Sequence, residues 1–323
     1  MTPSLTIIIP VRNRQHCIAA TLDSIAASTV LPACLLVVDN GSTDATADVV
    51  RQWAAAHAHG GMDIRMVEES RAGAGNARNR GLEECATEYV YFFDSDDLFG
   101  TGFIEQLSHC IAGDGAEADI ILVRTRQCVN GVVADRFFGH PDTLSSHIIA
   151  STLSTQSVVY RTAWLRRLGG SDVRLRLWID WELGVRVLLQ KPATCVLANG
   201  SADGQPVAYH TIFVHPDSIT GPSLAARGEA LMPAFAQVLA DINSAAIPDG
   251  ERRQALLALR YRANIVAGQL AAQRNGAVAH ELRRWVDNSL PAVSAWHRMM
   301  AALLRAYTSL GGRGAWRIAL RMC

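Results

Sequence analysis

The sequence predicts an α/β fold, with helices on both faces of a largely parallel sheet, followed by a helical C-terminal region. Short apolar runs alternate with segments of helical periodicity in the first half of the chain, which is the pattern of an α/β sheet. Near Pro222 the composition changes, and apolar residues then recur every three or four positions in long amphipathic helices. We therefore predict two domains, at 1–221 and 222–323.

Four strands are predicted from short runs of β-branched and aromatic residues. They lie at 5–11, 34–38, 63–67 and 89–93. Helices at 16–28 and about 43–58, and a loop leading into a helix over 73–85, separate them. Beyond them we expect, in order, a helix from 102 to about 111, a strand at 119–124, a hairpin around Asn130-Gly131, helices near 145–153, 161–168 and 180–190, short strands at 193–197 and 207–214, and two or three long helices after Pro222.

Composition excludes several classes of protein. The 323 residues are 49% hydrophobic and 19% charged, which is not the composition of a disordered chain. No apolar run approaches the ~18 residues of a membrane span, and no signal peptide is expected at the N-terminus. The seven cysteines form no CxxC pair, which favours a reducing compartment. The predicted location is the cytoplasm.

Charge is unevenly distributed although the formal net charge is zero. Residues 1–221 hold 17 basic and 24 acidic residues, and residues 222–323 hold 13 and 6. A basic tail with interleaved aromatic residues can contact an anionic membrane surface, here the inner face of the cell membrane. The alternatives are a helical bundle that packs on the first domain or forms a homo-oligomer, and a solvated arginine-rich helix face. We expect no nucleic-acid partner.

Polar side chains follow three of the predicted strands, and open α/β sheets bind ligands beyond the carboxyl ends of their strands. The fourth strand is followed by Asp94, Asp96 and Asp97, which repel one another unless a cation holds them. Mg²⁺ and Mn²⁺ prefer such oxygen ligands. The alternative is a charged turn in which one aspartate caps the next helix.

Several segments together resemble the family 2 glycosyltransferases of GT-A fold, in order and in spacing. They are IIIPVRN (7–13), VVDNGSTD (37–44), AGNARNRG (74–81), YFFDSDD (91–97), YRTAWLRRLGG (160–170), WIDWELGVRVLL (178–189) and HPDSITG (215–221). The resemblance covers roughly residues 4–221. It implies a GT-A fold, a Rossmann-like αβα sandwich that binds a nucleotide, and metal-dependent, inverting transfer of a sugar from a nucleotide-diphospho sugar.

The resemblance also implies a role for each matching residue. Pro10, Asn13 and Asp39 match positions that face or hydrogen-bond the base, usually uracil, and Arg78 matches an arginine near the nucleotide. Asp180 matches the general base. The predicted donor-binding set is Pro10, Asn13, Asp39, Asn40, Arg78, Asp94, Ser95 and Asp96, and the predicted ligands of Mn²⁺ or Mg²⁺ are Asp96 and His215.

Three residues depart from the family pattern. Asn40 stands where many relatives have a second aspartate, which bears on the preferred base. Ile179 replaces a glutamate before Asp180, and Phe213 stands where relatives often carry arginine.

We therefore predict a glycosyltransferase that uses a UDP-sugar and acts on a glycan or lipid-linked acceptor in cell-surface polysaccharide synthesis. The alternative is a non-catalytic protein that keeps the nucleotide-sugar pocket, which Ile179 and Phe213 would suit. A dinucleotide oxidoreductase is disfavoured, because residues 11–16 carry no glycine and so no GxGxxG motif follows the first strand.

Overall fold

A computed structural model describes residues 3–58, 60–129, 131–139, 143–197, 209–214 and 224–323. The chain folds into two compact units. The sheet unit comprises 1–141, 153–176 and 192–214, and the helical unit comprises 142–152, 177–191 and 215–323. The predicted boundary between 221 and 222 lies outside the described residues, so the division into 1–221 and 222–323 stays a prediction.

The sheet unit alternates strands and helices, as expected. Its elements are β1 (Leu5–Val11), α1 (Ile18–Ala26), β2 (Cys34–Asp39), α2 (Thr46–His57), β3 (Asp63–Glu68), α3 (Ala74–Glu84), β4 (Tyr89–Phe92), α4 (Phe103–Ala112), β5 (Ile120–Leu122), β6 (Thr125–Val129), β7 (Val132–Phe138), β8 (Val158–Arg161), α6 (Thr162–Leu168), β9 (Thr194–Val196) and β10 (His210–Val214). Seven strands form the main sheet in the order β3-β2-β1-β4-β8-β5-β9.

Strand β1 lies between β2 and β4, and all three run parallel, with Ile7 opposite both Leu35 and Tyr91. Both faces of β1 and β2 are buried, which is why these strands read as continuous apolar runs rather than alternating ones. The parallel arrangement brings the carboxyl ends of β1, β2 and β4 to one edge of the sheet.

The second sheet was only partly predicted. The hairpin around 130–131 is confirmed, because β6 and β7 pair antiparallel with Val129 opposite Val132. Strand β10 adds to β6 in parallel, from His210 opposite Thr125 to Val214 opposite Val129. Strand β8 was not predicted. It pairs antiparallel with both β4 and β5 and so joins the parallel part of the main sheet to its far edge.

The helical unit contains more helices than the two or three expected after Pro222. Its helices are α5 (Leu144–Ala150), α7 (Ile179–Leu189), α8 (Leu231–Ser244), α9 (Asp249–Ala272), α10 (Gly276–Ser289), α11 (Ala295–Ser309) and α12 (Ala315–Leu320). Helix α9 is the centre of this unit, and α5, α8, α10, α11 and α12 all contact it. Within the described ranges, none of the helices has the length and apolar character needed to cross a membrane.

Candidate active site at the carboxyl edge of the sheet

The loops after β1 and β2 are tied together by Asn13. Its backbone N–H donates to Ser42 Oγ at 3.0 Å, and its side-chain Oδ1 accepts from the Thr43 N–H at 2.8 Å. Asn13 adopts φ +53°, a left-handed conformation that asparagine tolerates better than most residues. Pro10, in β1, pairs with Val38 of β2. Both predicted base-facing residues of the first strand therefore lie beside the end of the second.

Asp39 ends β2 as a buried carboxylate. It accepts hydrogen bonds from the hydroxyl and from the backbone N–H of Ser42. An ionised carboxylate has about four acceptor sites, so these two bonds leave capacity for a ligand. The neighbour relation between β1 and β2 places Asp39 in the same group of loops as Asn13.

Asn40 has a structural task that explains why it is not an aspartate. Its side-chain Nδ2 donates to the carbonyls of Glu69 and Arg71 at 2.9 and 2.8 Å, and its Oδ1 accepts from the Gly73 N–H at 2.7 Å. The amide thereby joins the end of β2 to the loop that leads into α3. A carboxylate has no proton for the two carbonyls, so this loop geometry requires the amide.

The three acids after β4 have different surroundings. Asp94 accepts from Arg78 Nη2 at 3.1 Å and from Gln156 Nε2 at 3.0 Å. Asp97 is almost completely buried, and burial together with the nearby charge of Asp94 raises its pKa to about 9. Asp97 acts inside the fold, where its Oδ1 accepts the Phe213 N–H at 2.7 Å.

Asp96 remains partly exposed, with Arg14 Nη2 3.4 Å from its Oδ2. Ser95, between the two acids, is buried, and its carbonyl accepts the Thr21 hydroxyl at 3.0 Å, which fixes the course of the loop. Of the three carboxylates, Asp94 and Asp96 are both partly exposed, so either can meet a ligand from solvent, whereas Asp97 cannot.

Two residues near this loop were not singled out from the sequence. Arg14 follows the predicted Asn13 and pairs with Asp96, and Gln156 hydrogen-bonds both Asp94 and Asp97. The position of Arg14 beside a matching motif was a usable signal. Gln156 precedes the unpredicted β8 and belongs to no motif.

The predicted metal site can be examined only in part, because His215 lies outside the described residues. Among the residues that are described, no group of three or more His, Cys, Asp or Glu side chains is placed so that it could hold a metal ion. Mg²⁺ and Mn²⁺ are commonly held by one or two carboxylates together with substrate phosphates. Asp96, a partly exposed carboxylate, suits that kind of shared site.

In the helical unit, Asp180 lies in the first turn of α7 and is partly exposed. Its Oδ1 accepts the Trp181 N–H at 3.0 Å. Trp181 is buried, so core packing explains it, whereas Trp178 is less buried and carries the Arg262 guanidinium 4.6 Å from its ring centroid. Ile179 is buried as well, and a glutamate at this position would have to enter an apolar environment.

Glu182, the other acid in the first turn of α7, cannot replace Asp180 as an accessible base. Its side chain is fully buried and forms an ion pair with Arg186 one helical turn later. A buried, paired carboxylate is not available to an acceptor hydroxyl. Of the two acids in the first turn of α7, Asp180 is therefore the one that is partly exposed.

Residues 6–162 match the model of the glycosyl transferase family 2. This region belongs to glycosyltransferase family 2. The matched region contains β1–β8 and the loops that carry Asn13, Asp39 and Asp96. The family resemblance read from the sequence motifs is confirmed.

The chain is similar in sequence to known glycosyltransferases. Glycosyltransferase GlyA of Streptococcus pneumoniae is 35% identical over 105 residues, which is 32% of this chain and 14% of GlyA. A PGL/p-HBAD biosynthesis glycosyltransferase of Mycobacterium tuberculosis is 27% identical over 189 residues, 57% of this chain and 69% of that protein. The chain spans only 14%, 33% and 27% of the first three curated relatives that it matches.

Solved structures share the fold. Staphylococcus aureus TarS 1–349 in complex with UDP-GlcNAc has a TM-score of 0.63 at 18% identity, covering 97% of this chain and 93% of that one. The mannosyltransferase PcManGT of Pyrobaculum calidifontis, in complex with GDP-Man and Mn²⁺, has a TM-score of 0.58 at 19% identity, covering 100% and 87%. The predicted GT-A-like α/β fold with C-terminal helices is thereby confirmed.

Proposed function

We propose that this family 2 glycosyltransferase transfers a sugar from a UDP-sugar to a hydroxyl group of a glycan or lipid-linked acceptor, with inversion at the anomeric carbon. One observation carries the proposal. The parallel neighbours β1, β2 and β4 bring Asn13, Asp39 and Asp96 to one edge of the sheet, the edge at which α/β folds bind their ligands. Inversion follows from the family pattern, which offers one base and no second nucleophile.

The donor base is recognised by Asp39 in this proposal. A carboxylate accepts a hydrogen bond from the ring N–H of uracil and has no comparable partner on that edge of adenine. Pro10, Asn13, Asn40, Arg78, Asp94 and Ser95 complete the proposed donor site. The UDP-GlcNAc in complex with TarS, which has a similar fold, supports a uridine donor. PcManGT is in complex with GDP-Man instead, so the base that this chain prefers has to be measured.

A divalent ion, Mg²⁺ or Mn²⁺, is proposed to bind Asp96 and His215. When bound, the ion neutralises charge on the leaving diphosphate. The Mn²⁺ in PcManGT supports this cofactor. Arg14 pairs with Asp96 and so holds its carboxylate in the loop before a ligand arrives.

Asp180 is the proposed general base, because the acceptor hydroxyl must lose its proton as it attacks. A buried position favours isoleucine over the missing glutamate, and the proposed base, Asp180, is still present in the sequence. Cell-surface polysaccharide or glycolipid synthesis in the cytoplasm is the proposed setting. The similar mycobacterial PGL/p-HBAD biosynthesis glycosyltransferase supports an acceptor of the glycoconjugate class.

Calorimetric titration of UDP, GDP and ADP with and without Mn²⁺ tests the donor site. We expect UDP to bind best and Asp96→Ala to lose the metal-dependent part of its affinity. Asp48→Ala, on the exposed surface of α2, is the matched control. Equal metal-dependent affinity in Asp96→Ala and the parent protein would overturn the metal assignment, and equal binding of ADP would overturn that of Asp39.

Catalysis is tested separately by release of UDP from a panel of UDP-sugars. A protein that only binds the donor would show saturable UDP-sugar binding with no UDP release above background, and that result would favour the non-catalytic alternative.

A further inference from the structure

Helix α11 is fixed to the helical unit by one of its faces. Ala301, Leu304 and Thr308 are buried on that face, and the Thr308 hydroxyl donates to the Ile265 carbonyl of α9 at 3.1 Å. Arg305 Nη1 donates to Asn264 Oδ1 of the same helix at 2.8 Å. The side of α11 that faces α9 is therefore defined by packing and hydrogen bonds together.

A second stripe of large apolar side chains on α11 is exposed. Its members recur every three or four residues and so share one side of the helix. They form what we call the apolar face: Trp296 (57% exposed), Met299 (48%), Leu303 (53%), Tyr307 (43%) and Leu310 (89%). Within the described part of the chain, these side chains remain largely open to solvent. Contiguous exposed apolar patches of this kind mark interaction sites in soluble proteins.

The segment of the chain that carries this face has charges of one sign. Residues 288–323 contain five arginines and no aspartate or glutamate. Arg298, Arg313, Arg317 and Arg321 are exposed. Ile318 of α12 is a further exposed apolar residue in this segment. An apolar helix face with a tryptophan and a tyrosine, accompanied only by positive charge, matches the chemistry of an anionic lipid surface.

We propose that the apolar face of α11, with the exposed Arg313, Arg317 and Arg321, binds the surface of an anionic lipid bilayer. Trp296 and Tyr307 place amphipathic rings at the level of the headgroups, and Leu303 and Leu310 enter the acyl boundary. A second copy of the chain is a poorer occupant, because a twofold contact through this face would bring two arginine-rich segments together without an acid between them.

Co-sedimentation of the full chain with vesicles tests the proposal. The vesicles are pure phosphatidylcholine, or phosphatidylcholine mixed with phosphatidylglycerol. We expect binding only to the mixed vesicles, decreasing as salt rises. Arg313→Gln/Arg317→Gln/Arg321→Gln should lower the partition coefficient about a hundredfold, since each basic residue near the surface contributes about fivefold. Trp296→Ser/Leu303→Ser/Leu310→Ser should abolish binding.

Matched controls separate the surface from general properties of the chain. Val132→Ser/Val133→Ser removes two exposed apolar residues of β7, and Arg51→Gln/Arg167→Gln/Arg174→Gln removes three exposed charges of the sheet unit. Both control variants should bind vesicles as the parent does. Circular dichroism verifies that each variant is folded, which the exposure of the substituted side chains leads us to expect.

Three results would overturn the proposal. The first is an absence of binding to phosphatidylglycerol vesicles at low salt. The second is equal binding to neutral vesicles, which would remove the role of the arginines. The third is a concentration-dependent dimer that the serine variant of α11 abolishes, because the occupant would then be a second copy. None of these measurements depends on sugar transfer. A failure of the membrane proposal can therefore be distinguished from a failure of the proposed activity.

Discussion

His210 should make the stability of the sheet unit depend on pH between pH 7 and pH 5. Its ring is buried among aromatic side chains, with centroids 4.6 Å from those of both Phe99 and Phe103. Nδ1 accepts the Gly100 N–H at 3.1 Å, and within the described residues Nε2 has no hydrogen-bond partner. Burial lowers the pKa of His210 from 6.5 to about 3.

The direction of the pH effect follows from the pKa of His210 in the unfolded and in the folded chain. The unfolded chain takes up a proton near pH 6.5, and the folded chain only near pH 3. The free energy of unfolding is therefore unaffected by His210 above pH 6.5 and falls as the pH drops below that value. At pH 5 the loss is about 2 kcal/mol, because one and a half pH units are each worth about 1.4 kcal/mol.

His210→Phe isolates this contribution. The phenyl ring suits the aromatic surroundings and cannot titrate, while the lost bond from Gly100 costs about 1 kcal/mol at every pH. We expect the difference in unfolding free energy between His210→Phe and the parent to shift by about 2 kcal/mol in favour of the variant between pH 7 and pH 5. Urea denaturation at the two pH values measures it. All other titrating groups are common to both proteins.

His280→Gln, a substitution of an exposed histidine in α10, serves as the control and should leave the pH dependence unchanged. Parallel curves for His210→Phe and the parent between pH 7 and pH 5 would refute the reasoning. They would mean that β10 does not hold His210 in this apolar position.

Three further substitutions test other parts of the molecule. Asp180→Asn should leave UDP binding intact and lower the rate of transfer by ~10²–10⁴-fold, and an unchanged rate at saturating donor would place the base elsewhere. Asn40→Asp should lower the free energy of unfolding by about 2 kcal/mol, because two carbonyls lose their donor; urea denaturation measures this, and an unchanged midpoint would contradict it. Gly268→Ala should weaken the packing of α11 on α9, because the added Cβ would lie 1.9 Å from Thr308 Oγ1. We expect amide hydrogens in α11 to exchange faster in this variant, and unchanged exchange would contradict the prediction.

The first four strands were predicted close to their observed bounds, and for β1, β2 and β4 the reason is their central position in the sheet. The predicted 5–11 is the observed β1, and the predicted 89–93 differs from β4 by one residue. Parallel central strands are buried on both faces, so their sequences are continuously apolar and end where polar loops begin. The loops that carry Asn13, Asp39 and Asp96 could be read for the same reason.

Strand β8 and the role of Gln156 could not be read from the sequence. Four residues, Val158–Arg161, are too short to show a period, and their place between β4 and β5 depends on pairing with distant segments. Gln156 is polar and buried, but its two acidic partners lie about sixty positions earlier. Only the folded sheet brings them together.

The exposure of the apolar face of α11 could not be predicted from the sequence either. The sequence predicts amphipathic helices after Pro222, and packing of such helices on the first domain or on a second copy of the chain was one of the expected outcomes. In the structure a different set of residues, Ala301, Leu304 and Thr308, faces α9. Small residues make closer helix contacts than large ones, and a hydrophobic pattern does not show which of two apolar stripes is covered.

The central position of β1 has a consequence for how the chain acquires its structure. Strand β1 is synthesised before both of its partners, and it pairs Leu5 with Tyr89 on one side and Thr6 with Cys34 on the other. Its second partner is thus synthesised much later, and contacts between distant segments slow folding. Until β4 arrives, β1 presents an unpaired apolar edge that can recruit other chains. Translation speed between residues 40 and 92 should therefore influence how much of this protein aggregates during expression.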